Sequence, residues 1–252
     1  MIVSPSQPVR HLVAVGVGTC VVALIGCSAP SSPPAETSPP SDPGIVVLEE
    51  LPQDRLRLGV DSLVSRFGNM PEGFRRMELK EVDGGYEFTE LVAVTEDIWR
   101  SVTASFDSSF RVQRVVSSGS QFGQPMGGTV RYEVGRATGD VVGAQGAQVP
   151  VDTALPDAAF DGDVLLAVLP ALEWTVGETY RLRLFEPASG TASTQTLTVV
   201  GEETLRVPAG EFAALRGELT STQLPVTIWV SREVPRRLLK IGSANGETVL
   251  AR

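Results

Sequence analysis

The side chains able to do chemistry are unevenly placed in this sequence. Its one histidine, His11, and both cysteines, Cys20 and Cys27, fall within the first 27 residues. Beyond them stand carboxylates, arginines, hydroxyls and just two lysines, Lys80 and Lys240. A Ser-His-Asp or Cys-His nucleophile cannot be assembled from that set. Nor can a His/Cys shell for zinc, copper or non-haem iron. No disulfide can close in the long C-terminal part. No cofactor, metal or catalytic residue is expected.

The remaining constellations each have a functional and a structural reading. Asp157, Asp161 and Asp163 suggest a calcium loop or an acid-base pair, but the segment Asp157-Ala-Ala-Phe-Asp161-Gly-Asp163 is too apolar and too widely spaced for calcium. Capping of the apolar segment that follows is the better reading. Glu96-Asp97 and Glu202-Glu203 are of the type that glycosidases pair, yet 30 acidic residues on one surface produce such neighbours by chance. Arg75-Arg76 and Arg236-Arg237 could grip an anionic headgroup through bidentate hydrogen bonds, or simply be solvated strand ends. Ser231 with Lys240 is a remote Ser-Lys pair. The net charge of −9 opposes a nucleic-acid partner, since phosphate binding needs clustered basic residues.

The N-terminus reads as an export signal. Arg10 and His11 precede an apolar run of fourteen residues, Leu12 to Ile25, and no acid appears before Glu36. Fourteen residues suit a signal peptide and fall short of the roughly 20 needed to span a bilayer. The run ends Leu24-Ile25-Gly26-Cys27, which resembles a bacterial lipobox. The resemblance implies cleavage between Gly26 and Cys27 and acylation of Cys27, so that the membrane is a partner through a lipid anchor. A plain signal peptide or a short membrane anchor is the alternative. Ser28 stands where Asp would mark inner-membrane retention in a double-membrane bacterium, which favours the outer membrane. The cleaved chain would lack histidine and carry a formal charge of −10, because only Arg10 is lost among the charged residues.

Residues 28–44, SAPSSPPAETSPPSDPG, cannot bury a core and read as a tether. In polyproline II form the segment spans roughly 50 Å at about 3.1 Å per residue. The expected organisation is therefore a signal peptide over 1–26, a lipidated cysteine and tether over 27–44, and one β-rich domain over 45–252.

The elements that must position the candidate residues follow from period-two alternation. Val130, Tyr132 and Val134 alternate with Arg131 and Glu133; Tyr180, Leu182 and Leu184 with Arg181 and Arg183; Val226, Ile228 and Val230 with Thr227 and Ser231. Asp83-Gly84-Gly85 and Asn245-Gly246 predict hairpin turns. Gly201 separates two strand-like runs, and Gly210 is expected at positive φ in a tight connection, with Phe212 anchored in the core. Leu56, Leu58 and Val60 fit a strand or a helix. Only Asp163 to Leu169 has helical spacing, with Asp163 as cap and Pro170 as terminator. The prediction is an all-β, mainly antiparallel fold: a rolled sheet or half-barrel of about ten to twelve strands with one short packed helix. Trp229, on the face opposite Ile228, is expected to pack a second core layer, with the lining of a groove as the alternative.

The C-terminal half holds Trp174-Thr175-Val176-Gly177-Glu178, Val200-Gly201-Glu202-Glu203, Val207-Pro208-Ala209-Gly210-Glu211-Phe212, Ile228-Trp229-Val230-Ser231 and Val234-Pro235-Arg236-Arg237 in that order. The order resembles an uncharacterised family of bacterial envelope proteins, domain of unknown function 3108, clearly over about 90 residues and more loosely over 50–150. The resemblance implies a rolled all-β domain in an exported protein and no established reaction. The expected function is non-enzymatic binding of an apolar ligand or an envelope protein at the cell envelope, with the domain in the periplasm or at the cell surface. The rivals are an interaction domain with a filled core and, remotely, a carboxylate-only glycan hydrolase. Oligomeric state is not readable from the sequence.

Overall fold

Strand-forming alternation dominates the sequence, and among the described residues it produces fifteen strands in one sheet rather than ten to twelve. The structure is a computed structural model that describes residues 44–143, 146–220 and 225–252. The predicted signal peptide, Gly26, Cys27 and nearly all of the tether lie outside the described residues. The first eight strands are β1 Gly59–Phe67, β2 Gly73–Val82, β3 Gly85–Thr95, β4 Ile98–Asp107, β5 Val112–Gln121, β6 Gln124–Glu133, β7 Arg136–Val142 and β8 Gln148–Ala154. After them come β9 Ala159–Asp161, β10 Thr179–Glu186, β11 Thr191–Val207, β12 Gly210–Thr220, β13 Val226–Ser231, β14 Leu238–Ser243 and β15 Gly246–Leu250. No helix among the described residues is long and apolar enough to cross a membrane.

The strand order is β8-β7-β6-β5-β4-β3-β2-β1-β15-β14-β13-β12-β11-β10-β9. Two antiparallel meanders therefore meet at the β1–β15 ladder, where Leu63 faces Leu250. Among the named strands only β9 against β10 is parallel. The edge strands β8 and β9 are joined by residues 155–158 alone. In a flat sheet these edges would lie about 65 Å apart at roughly 4.8 Å per strand. Five chain steps reach no more than about 18 Å. The sheet must therefore curl until its edges are close, so topology and loop length dictate a roll.

Glycines permit close strand approach on β6 and β7. Gly128 on β6 and Gly139 on β7 have φ of +154° and +150°. A Cβ there would come within 2.2 Å of the Asp140 carbonyl and 2.0 Å of the Thr129 carbonyl, respectively. Only glycine tolerates that approach of neighbouring strands.

The α-helical turn among the described residues belongs to a longer helical segment packed on the inner side of the sheet. A 3-10 turn at Gly162–Val164, the α-helical turn α1 at Leu165–Val168 and a second 3-10 turn at Leu169–Ala171 run together. Pro170 falls in the last turn, where its missing N–H ends α-helical bonding. Val164, Val168 and Leu169 are wholly buried, whereas Leu165 and Leu166 are half-buried. Leu166, Ala167 and Pro170 border Met77, Phe88 and Leu238 around a void of only about 30 Å³. Further along, Trp174 is buried and its indole N–H donates to the Leu169 carbonyl at 2.8 Å. Its ring lies 2.7 Å from where a Cβ on Gly217 of β12 would stand. The segment thus touches strands from both meanders and plugs the roll.

Several local expectations need correction. Gly201 does not divide two strands; β11 runs on for 17 residues, and the register shift between Val199 and Gly201 marks a bulge. A bulge keeps strand pairing while adding twist, which glycine eases. Asp163 is not the cap. Asp161 takes that role, its carboxylate accepting from the Asp163 backbone N–H at 2.8 Å. Leu56 follows a 3-10 turn at Gln53–Arg55, and the strand begins only at Gly59. Trp229 is half-buried on the outer face, with its N–H on Glu203 at 2.6 Å and the Lys240 ammonium 5.3 Å from its ring. Phe212 is likewise half-buried against the core. Gly210 does hold positive φ, at +138°, and the Gly84 turn has φ +82° as its hairpin requires.

Candidate functional site

Period two places Arg75, Glu90, Arg100 and Tyr132 on inward positions of β2, β3, β4 and β6, facing the plug. Their polar ends form a chain across the concave wall. Arg75 donates to Glu90 at 2.6 Å. Arg100 pairs with Asp163, and the Tyr132 hydroxyl donates to Asp161. Asp161 also holds the Asp163 N–H. Burial pushes Asp161 up to about 7, helped by the Asp163 carboxylate and opposed by the hydrogen bond from Tyr132. Tyr132 is pushed up by burial and by the nearby Asp161 charge. Glu90 is raised by burial despite the opposing charges of Arg75 and Arg100. Burial opposes the charge on Arg100, but Asp163 outweighs it and its pKa rises.

This array contains a carboxyl able to exchange a proton near neutrality, yet Asp161 is only 1% exposed and Tyr132 only 7%. A glycan cannot reach either. The adjoining void, between Arg100, Ser117, Gly128, Asp163 and Glu186, is about 80 Å³. The array therefore staples the plug to the wall, and of the carboxylates that the sequence offered as chemical groups Asp161 and Asp163 are occupied there.

The other sequence candidates are dispersed. Glu96 and Asp97 form the exposed turn between β3 and β4. Glu202 pairs with Arg232 at 3.3 Å, while Glu203 holds Trp229. Asp157 is exposed, and its carbonyl accepts from Arg183 at 2.6 Å. The Ser231 hydroxyl accepts from the Arg237 N–H at 2.8 Å, whereas Lys240 pairs with Glu247 at 2.6 Å. The Ser-Lys reading therefore has no geometry behind it. No cluster of potential metal ligands occurs among the described residues.

The four arginines singled out in the sequence have different fates. Arg75 pairs with Glu90 and Arg76 with Glu78. Arg237 places two N–H donors on one oxygen of buried Asp61, at 2.9 and 2.7 Å. Arg236 is buried at 9% exposure, and its Nε and Nη1 have no hydrogen-bond partner. Its burial is not legible from the Arg-Arg doublet, because both residues precede β14 in an irregular connection whose course long-range packing sets.

Two kinds of recess remain. At the end of the roll where β8 crosses to β9, a cavity of about 220 Å³ is lined by Leu48, Val112, Leu155 and Phe160 and also by Glu49, Arg111 and Asp157. On the outer surface, a shallow groove of about 850 Å³ runs along Trp229, Lys240 and Asn245. A second outer groove carries Phe74, Leu91, Ala93 and Trp99. Cross-strand register explains that grouping, since Val64 faces Phe74, Phe74 faces Ala93 and Ala93 faces Trp99. Phe74 is 48% exposed and Leu91 37%.

Residues 73–249 match the family described as "Protein of unknown function (DUF3108)". The match takes in β2 to β6 as well as the C-terminal half, where the sequence motifs were clearest. No curated protein matches the chain. Among solved structures, a β-barrel-like protein of domain of unknown function DUF1849 from Brucella abortus is 10% identical, with 76% of this chain and 93% of that chain covered and a TM-score of 0.43. A candidate lipoprotein from Parabacteroides distasonis ATCC 8503 is 10% identical, with coverage of 78% and 95% and a TM-score of 0.29. A candidate exported protein with YmcC-like fold from Bacteroides fragilis NCTC 9343 is 12% identical, with coverage of 78% and 95% and a TM-score of 0.25. Because the family match spans well over half of its length, this chain belongs to the DUF3108 family of proteins of unknown function.

Proposed function

We propose that the chain is an envelope lipoprotein, cleaved before Cys27 and acylated on it, whose domain over 45–252 works as a non-enzymatic binding module on a tether over 27–44. One acyl chain holds a protein to a membrane only marginally and two hold it stably. The absence of Asp after Cys27 favours the outer membrane. The filled interior carries the reading of how the domain works. Val164, Val168, Leu169 and Trp174 occupy the space that a lipid carrier would leave open. The recess at the end of the roll, about 220 Å³, is below the roughly 300–1,000 Å³ of usual ligand pockets. The outer patch around Phe74 and Leu91 is the kind of exposed apolar surface that marks a protein interface. The domain therefore acts through its surface, on an envelope protein.

The test is a photo-crosslinking residue at Phe74 in the native envelope, with one at exposed Val176 as control. The expected outcome is an adduct of defined mass from position 74 and none from 176. A second reading rests on the apolar part of the lining of the end recess, which suits a small apolar group. Saturable uptake of an apolar fluorescent probe, lost on Leu155→Arg, together with no adduct at position 74, would replace the first reading with the second.

A further inference from the structure

The outer face of the sheet carries a row of directly opposed residues that crosses seven strands. Trp229 on β13 faces Lys240 on β14, Lys240 faces Val249 on β15, and Val249 faces Val64 on β1. The row continues through Phe74 and Ala93 to Trp99 on β4. Beside it runs a chain of charges that alternate in sign. Lys240 pairs with Glu247 at 2.6 Å, Glu247 with Arg66 at 3.7 Å, and Arg66 with Glu72 at 2.9 Å. The hydrogen bond and the charge of Lys240 hold Glu247 below the usual carboxylate range, against the effect of burial.

The alternation stops at Glu96. This residue is exposed in the turn between β3 and β4, with Asp97 beside it, and neither forms an ion pair among the described residues. Glu96 and Glu72 line the outer groove together with Phe74, Leu91, Val94 and Trp99, and no cation lines it. Glu72 already has Arg66, so Glu96 is the carboxylate left over. An aromatic floor with a free carboxylate at its edge is complementary to a cation on an aliphatic stem. The stem covers apolar surface, the charge lies over a ring face, and the carboxylate pairs with it. An anionic lipid surface is disfavoured at this place, because Glu96 and Asp97 repel it. A second copy of a chain with net charge −9 is repelled as well.

On the reading that the Phe74 patch contacts an envelope protein, we propose that the groove takes a Lys or Arg side chain of that protein, flanked by apolar residues. Phe74 and Trp99 lie under its stem and charge, and Glu96 is its ion-pair partner. The incoming cation continues the alternation that Lys240, Glu247, Arg66 and Glu72 begin.

The test uses the full-length chain in its native envelope. A photo-crosslinking residue at Leu91 leaves Phe74 and Trp99 in place, and the peptide attached to it is sequenced by mass spectrometry. The expected result is a protein adduct with a Lys or Arg adjacent to the point of attachment. Glu96→Gln should lower the adduct yield about two- to fivefold, the worth of an exposed ion pair. Glu96→Lys sets like charges together and should lower it about tenfold. Trp99→Leu keeps apolar area but removes the ring face, and should lower it about two- to fivefold. Glu81→Lys makes the same change of net charge at the exposed far end of β2 and should leave the yield unchanged. Because Glu96 lies in an exposed turn, Glu96→Lys should match the wild type in urea unfolding. A protein adduct that keeps its full yield in Glu96→Lys, or whose attached peptide has no cation beside the attachment, overturns the cation site while protein docking at this patch stands. An adduct to lipid or to a second copy of the chain, or no adduct at position 74 or 91, overturns both.

Discussion

The Tyr132 hydroxyl on β6 donates to the Asp161 carboxylate at the end of β9, joining two strands that lie on opposite arms of the sheet order. No backbone ladder links those arms there. The side-chain bond, with Arg100–Asp163 beside it, fixes how the plug seats against the wall. Because both groups are buried, the bond couples folding to protonation.

Asp161 titrates near 7 in the fold, against an ordinary value of about 3.9 in an unfolded chain. Its folded pKa is raised, so between those values the folded protein keeps a proton that the unfolded chain has released. Its stabilising contribution is therefore complete below about pH 4 and is lost as pH rises through about 7. Asp161→Asn stays neutral throughout. Relative to the wild type it should gain on the order of 2 kcal/mol between pH 5 and pH 8. Urea unfolding at both pH values checks this, and a constant difference would mean that Asp161 ionises as a normal carboxyl.

The plug gives a sharper contrast. Leu169 is wholly buried, so Leu169→Ala should cost about 2–5 kcal/mol. Leu166 is only half-buried, and Leu166→Ala should cost less than half as much. Chemical denaturation of both variants would reveal equal losses if the helix were a loose lid instead.

Gly217 is required by its neighbour rather than by its backbone. A Cβ there would meet the Trp174 ring at 2.7 Å and Leu197 Cδ1 at 2.8 Å. Gly217→Val should cost about 1–3 kcal/mol through overpacking. A paired Trp174→Leu change, which empties part of that space, should recover a portion of it; simple additivity in the double mutant would show that the two sites do not touch.

For the proposed anchor, Cys27→Ala should abolish acylation and move the chain from the membrane fraction to the soluble one. Detergent partitioning of wild type and variant measures it, and unchanged partitioning would remove the lipoprotein reading.

Alternation along Tyr180–Leu184 and Val226–Val230, the Gly84 and Asn245 turns and the isolated helical spacing from Asp163 to Leu169 were legible in the linear chain. Each is a local preference that needs no partner to be recognised. So was the absence of any His or thiol beyond Cys27, which removed whole classes of catalysis without a coordinate. The strand count was not legible: the bulge at Gly201 splits one long strand in two when pairing is unseen, while polar or glycine-containing strands such as β5 and β7 alternate too weakly to be counted. Trp229 could not be assigned a surface either, since alternation tells which residues share a face but not which face is inside. Only the roll decided that. It curled the sheet because residues 155–158 must join its two edges, and it set the plug among the inward positions. The same closure buried Arg236 without a carboxylate while giving Arg237 to Asp61, a difference between adjacent identical residues that long-range packing alone creates.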